Sequence, residues 1–193
     1  MLRDKIEEAI SGKLYISVKE LHKIGVSKSS ISRLTDNGSL IRVARGVYSL
    51  RDDSKDNKYL IHNKYKIGVF SHNSALYFHN LIDHDPDVKV MTVNWNYKLS
   101  TDGKFNVKFK YVDKKILRLG MEMRSTSFGH KVPVYNVERT ICDVIKSDTK
   151  MDRQIVNNAI RNFVKSGELS IVMDYASKMG IEKKVRKKLE VFL

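Results

Sequence analysis

Between residues 28 and 45 the chain sets out small polar and cationic side chains at helical and hairpin spacing: Lys28, Ser29, Ser30, Ser32 and Arg33, then Arg42 and Arg45. The chemistry open to these types is recognition. Short serine side chains let a helix come close to base edges, arginine can hold a guanine or a phosphate through two parallel bonds, and lysine neutralises phosphate charge. Double-stranded DNA is the partner this set fits. Ser29, Ser30, Ser32 and Arg33 would reach base edges or the adjacent backbone. Lys28 falls at a helix N-terminus, where a phosphate is favoured. Arg42 and Arg45 would enter the neighbouring minor groove or hold phosphates.

Local sequence supplies the elements to position them. Val18, Leu21 and Ile24 mark the apolar side of one short helix, and Gly25 allows a sharp corner after it. Ser27 is a good N-cap for a second helix, with Ile31 and Leu34 inward and Gly38 as its stop. Leu40–Val43 and Val47–Leu50 are β-prone runs around Ala44-Arg45-Gly46, which is a hairpin signal. Leu2, Ile6, Ala9 and Ile10 recur at helical spacing before them. Tyr15-Ile16 forms an extended piece suited to pairing with the hairpin. Residues 1–50 therefore predict a winged helix-turn-helix domain. The same motif also serves protein contacts, but the arginines on the helix and hairpin favour DNA.

The whole chain of 193 residues carries a net charge of +14, which points to a polyanionic partner. The first fifty residues hold nine basic and five acidic side chains, so they account for only +4 of it. One cysteine, Cys142, excludes an internal disulfide and fits a reducing compartment. The N-terminus is charged from its third residue, and no stretch approaches the length of a membrane span. A cytoplasmic protein without a membrane partner is the expectation.

Residues 51–58 are almost wholly polar and read as a linker, which makes 59–193 a second domain. Its pattern is mixed. A helix is expected over Lys58–Lys66, and a helix capped by Ser71 follows. Strands are expected at Val88–Val93 and Phe105–Val112, with two more at Met121–Met123 and Val132–Val134. A further helix opens at Val137, and the last fifty residues read as helical throughout. The fold class is α+β: a winged helix-turn-helix domain, then a mixed α/β domain with a helical C-terminal end.

Other chemistries find weaker footing. Pro86-Asp87 with Asp113-Lys114-Lys115 has the form of a metal-dependent nuclease pattern, which needs carboxylates on a divalent ion and a lysine for charge. Yet D-x-K is frequent in a chain this rich in Asp and Lys, and Pro86-Asp87 sits in a turn. His62, His72, His79 and His84 match no zinc spacing. No glycine loop for phosphates and no nucleophile elbow is present. The sequence thus assigns no catalytic residue, no metal and no cofactor. Lys104, Lys108 and Lys110 with Lys114, Lys115 and Arg118 read equally as a phosphate-tracking surface or as a solvated sheet edge.

Three stretches together carry a family resemblance: ELHKIGVSKSSISRLTDNGSLIRVARGVYSL, FSHNSALYFHNLIDHDP and VYNVERTICDVI. In this order and spacing they resemble the AbiEi-type antitoxins of type IV abortive-infection systems. The resemblance implies a bacterial autorepressor. Its N-terminal domain would bind inverted repeats in its own promoter, two copies strengthening specific binding. Its C-terminal domain would counteract a nucleotidyltransferase-like toxin without a stable complex, as phage defence. By the same resemblance the antitoxicity candidates are Ser71, Ser74, His79, Arg139, Thr140 and Asp143, with Ala75, Leu76 and Glu138 in the same motifs. Ser71 and Ser74 could cap a helix, and Asp143 could pair with Arg139. A winged nuclease and a plain repressor controlled by dimerisation or a ligand remain as alternatives.

Overall fold

The structure is a computed structural model that describes residues 2–50, 56–98 and 105–192. The chain divides into two units, residues 1–66 with 125–132 and residues 67–124 with 133–193.

The first unit runs α1 (Leu2–Ile10), β1 (Ile16–Ser17), α2 (Val18–Lys23), α3 (Lys28–Asp36), β2 (Ile41–Ala44), β3 (Val47–Ser49) and α4 (Asn57–Lys64). Ser17 and Glu20 cap α2 reciprocally: the Ser17 hydroxyl accepts from the Glu20 amide, and the Glu20 carboxylate accepts from the Ser17 amide. α2 ends where Gly25 takes a φ of +83°. That conformation lets the Val26 amide donate to the Leu21 carbonyl at 2.9 Å and the Gly25 amide to His22 at 3.0 Å, closing the helix end. The three strands pair antiparallel in the order β1-β3-β2, so the Tyr15-Ile16 piece does meet the hairpin. Its turn is anchored by the Val18 amide on the Gly46 carbonyl at 3.0 Å. Ile6, Ile16, Leu21, Val26, Ile31 and Leu40 form the core beneath. Burying each such side chain stabilises the fold by roughly 1.5–3 kcal/mol.

Asp56, Asn57 and Lys58, read as linker from the sequence, instead start α4; residues 51–55 of that linker lie outside the described residues, as does Lys104. Asp56 is 2% exposed. Its Oδ1 caps α4 through the Tyr59 amide, and its Oδ2 accepts from Thr126 Oγ1 at 2.5 Å and from His130 Nδ1 at 3.0 Å. The Tyr15, Tyr59 and His130 rings stack beside it. A buried carboxylate with this many donors is structural.

The second unit holds β4 (Val69–Phe70), α5 (His72–Phe78), β5 (Lys89–Asn94), β6 (Val107–Val112), α6 (Lys114–Leu117) and β7 (Met121–Ser125), the end of β7 falling in the first unit. There follow β8 (Lys131–Tyr135), whose first two residues also belong to the first unit, and α7 (Val137–Lys146). A 3₁₀ turn at Asp148–Lys150 leads to α8 (Arg153–Val164), α9 (Leu169–Lys178) and α10 (Glu182–Leu189). The strands form a mixed sheet in the order β6-β5-β4-β8-β7. β4 pairs antiparallel with β5 and parallel with β8, and β5 pairs parallel with β6. α7 supplies the apolar centre of the helical layer, with Ile141, Cys142, Val144 and Ile145 all 0% exposed. Cys142 is core, and burial pushes its thiol up to about 12. The mixed α+β composition expected from the sequence is what the chain shows.

Candidate nucleic-acid interface

Ser27 fixes the start of α3: its Oγ accepts from the Ser30 amide at 3.2 Å. The same hydroxyl lies 2.9 Å from Ser29 Oγ and 3.0 Å from Ser30 Oγ. Ser30 is half-buried and turned back on the cap, so it stands apart from the outward row that periodicity predicts. Ile31 faces the core at 4% exposure. Lys28, Ser29, Ser32 and Arg33 are exposed and line one open concavity with Ser27, Asp36 and Asn37. Periodicity alone does not single out Asp36 and Asn37, though each lies four residues beyond a member of the row. An acid and an amide there add a hydrogen-bond acceptor and an amino donor to a face otherwise made of hydroxyls and cations. Arg42 is exposed on β2 and Arg45 is exposed in the turn after it.

In the second unit three of the resemblance-derived candidates, His79, Arg139 and Thr140, meet at the end of β8 at Tyr135, with Asp143 joined to them through Arg139. The Tyr135 carbonyl accepts from His79 Nε2 at 2.7 Å and from Thr140 Oγ1 at 3.3 Å. The Arg139 guanidinium lies 4.3 Å from the centre of the Tyr135 ring. Arg139 donates from Nε to Asp143 Oδ1 at 3.2 Å, and from Nη1 to the carbonyls of Ile116 and Leu119 at 2.7 and 3.0 Å. Ser71, Ser74, Arg139, Thr140 and Asp143 are all buried, and His79 is half-buried. These residues knit sheet, loop and helices together. The Arg139–Asp143 pair expected from their spacing is present. Ser71 occupies the N-cap position of α5, but its side chain makes no cap bond. Its Oγ instead accepts from Thr92 Oγ1 at 2.8 Å and contacts His72 Nδ1 at 3.0 Å. Ser74 Oγ accepts from the Val90 amide, so neither serine side chain caps the helix. β5 competes for both hydroxyls and wins because it lies against them.

His72 is a buried, non-glycine residue at φ +52°. Its Nε2 lies 3.1 Å from Ser147 Oγ. Burial, reinforced by the charges of Lys110, Arg139 and Lys108, brings its imidazole down to about 4 despite the opposing charge of Asp143. Burial likewise lowers His79 and raises Tyr135. Asp113, one half of the nuclease-like pattern, caps α6 through the Lys115 amide at 2.8 Å. Among the described residues no three His, Cys, Asp or Glu side chains gather to hold a metal ion, and no helix is long and apolar enough to cross a membrane.

The crystal structure of the RV2827C protein from Mycobacterium tuberculosis is similar over 97% of this chain and 75% of that one, at a TM-score of 0.63 and 12% identity. At that identity the likeness is one of fold. No curated protein matches the chain. A family described as "Transcriptional regulator, AbiEi antitoxin" matches residues 4–51. That match runs from α1 through β3, and the segment that presents Lys28 to Arg33 is thus similar to the AbiEi antitoxin family of transcriptional regulators.

Proposed function

We propose that this chain is a bacterial antitoxin and transcriptional autorepressor. The first unit acts as a winged helix-turn-helix module on inverted repeats in its own promoter, with α3 in the major groove and the β2–β3 hairpin as the wing. The second unit counters a cognate nucleotidyltransferase-like toxin without forming a stable complex, in abortive infection by phage. The reading includes no catalysis. It rests above all on the exposed row Lys28, Ser29, Ser32 and Arg33 within the family-matched segment. Hydroxyls and cations on one uncovered helix face suit base edges and phosphates.

Two measurements test it. Mobility shifts on the protein's own promoter should show binding that Arg33→Ala weakens by roughly 1–3 kcal/mol, the range for loss of one base contact. Full-length protein should rescue cells from a co-encoded nucleotidyltransferase-like toxin. A promoter shift unaffected by Arg33→Ala would sink the groove assignment, and failure of rescue would sink the antitoxin reading.

A further inference from the structure

Asp36 is an acid on a helix face otherwise suited to a polyanion. Ile31 and Leu34 turn α3 toward the core. Counted at about 100° per residue, Asp36 lies almost diametrically opposite their mean direction. Ser29, seven residues earlier, shares that outward midline. Ser32 flanks it on one side and Arg33 on the other, each within about 60° of Asp36. All four are exposed and line the same concavity.

Asp36 makes no ion pair and no side-chain hydrogen bond among the described residues, although Arg33 is one turn away. The neighbouring Asn37 has its side-chain oxygen engaged by the Ser39 amide at 3.0 Å. Asp36 is also the last residue of α3, where the helix dipole disfavours negative charge. The carboxylate thus stands free at the centre of the outward face, in a place where it lowers the stability of the helix.

On the midline of a helix in the major groove, a carboxylate lies between two rows of phosphates that repel it. It is tolerated where a base edge donates to it. The exocyclic amines do so, N4 of cytosine and N6 of adenine, whereas O6 of guanine and O4 of thymine are acceptors that an acid rejects. Three helical residues rise about 4.5 Å, a little more than one base-pair step of about 3.4 Å, so Asp36 and Arg33 address neighbouring pairs.

We propose that Asp36 sets operator specificity: its carboxylate accepts a hydrogen bond from the exocyclic amine of cytosine or adenine, beside the pair addressed by Arg33. This assignment rests on the placement of α3 in the groove. It adds an acid that works as much by rejecting wrong bases as by binding the right one.

The test uses full-length protein and mobility shifts on its own promoter, with each base pair of the bound repeat replaced in turn. Wild type should lose at least about fivefold in affinity at the pair facing Asp36. In Asp36→Ala that preference should shrink to within about twofold, while preferences at distant positions stay. Affinity for random duplex should hold or rise, because a negative charge has gone. A preferred G·C pair assigns cytosine as the donor, and a preferred A·T pair assigns adenine. Replacing that base by its analogue without the amine (pyrimidinone for cytosine, purine for adenine) should weaken wild type and leave Asp36→Ala unmoved. Asp36→Ala and Asp36→Asn should unfold at or above the wild-type midpoint, since the acid opposes the helix dipole. If Arg33→Ala weakens promoter binding but Asp36→Ala keeps every base preference, the proposal falls while the groove placement stands. If neither variant alters the preference for promoter over random duplex, both fall. A lower unfolding midpoint in both Asp36 variants would make the acid structural and overturn the proposal as well.

Discussion

Arg139 donates to Asp143 at 3.2 Å inside α7, and the two side chains are 0% and 4% exposed. One turn of helix therefore holds a fully desolvated ion pair that also hangs the Ile116 and Leu119 carbonyls on Nη1. Removing one partner leaves the other charge buried, at a cost of about 3–5 kcal/mol. Arg139→Ala should lower the midpoint of chemical unfolding accordingly. Any accompanying loss of antitoxicity should track the fraction of protein unfolded. If Arg139→Ala unfolds at the wild-type midpoint, the residue is not the structural tie described above.

His72 sets a pH dependence. Its folded value is about 4 against an ordinary 6.5, so between these the unfolded chain binds more protons than the folded one. Stability then rises with pH across that window: it is fully present above about 6.5 and declines as pH falls toward 4. The span corresponds to roughly 3 kcal/mol. Asp143 opposes the shift, while Lys110, Arg139 and Lys108 enhance it. Thermal melts at pH 7 and pH 4.5 should differ less in His72→Gln than in wild type. An unchanged difference in that variant would contradict the assignment.

Gly120 makes a tighter prediction. Its φ is +69°, and a Cβ there would come within 2.6 Å of the Arg139 Cβ and 2.7 Å of Asn136 Oδ1. Both neighbours belong to the start of α7, where Asn136 caps the helix through the Arg139 amide. Left-handed strain and overpacking together should make Gly120→Ala roughly 2–5 kcal/mol less stable. Gly38→Ala, also at positive φ but with nothing within 4 Å, should lose far less by the same denaturation measurement.

Local chemistry explains which features were legible in the sequence. The α2–α3 corner follows from Gly25 and Ser27, whose partners lie within a few residues. The Arg139–Asp143 pair is one helical turn apart and follows from spacing alone. Ser30 read as outward because periodicity counts Cβ directions and not the pull of the Ser27 hydroxyl. Asp56 read as linker because its partners Thr126 and His130 are 70 and 74 residues away. Ser71 read as a helix cap because Thr92, which takes its hydroxyl, is on another strand.

The hairpin arginines should behave differently from Arg33. Arg42 is exposed on β2 and Arg45 in the turn, and the turn is tied to the start of α2 through Gly46 and Val18. A phosphate contact carries charge but no sequence information. Arg42→Gln and Arg45→Gln should therefore weaken binding to promoter and random duplex alike. Each should lower the slope of log affinity against log salt by about one. Arg33→Ala, in contrast, should narrow the gap between promoter and random duplex. Titrations of both duplexes at several salt concentrations separate the two effects. Equal loss of specificity in all three variants would mean that the hairpin reads bases, and the wing would then have to lie in a groove rather than along the backbone.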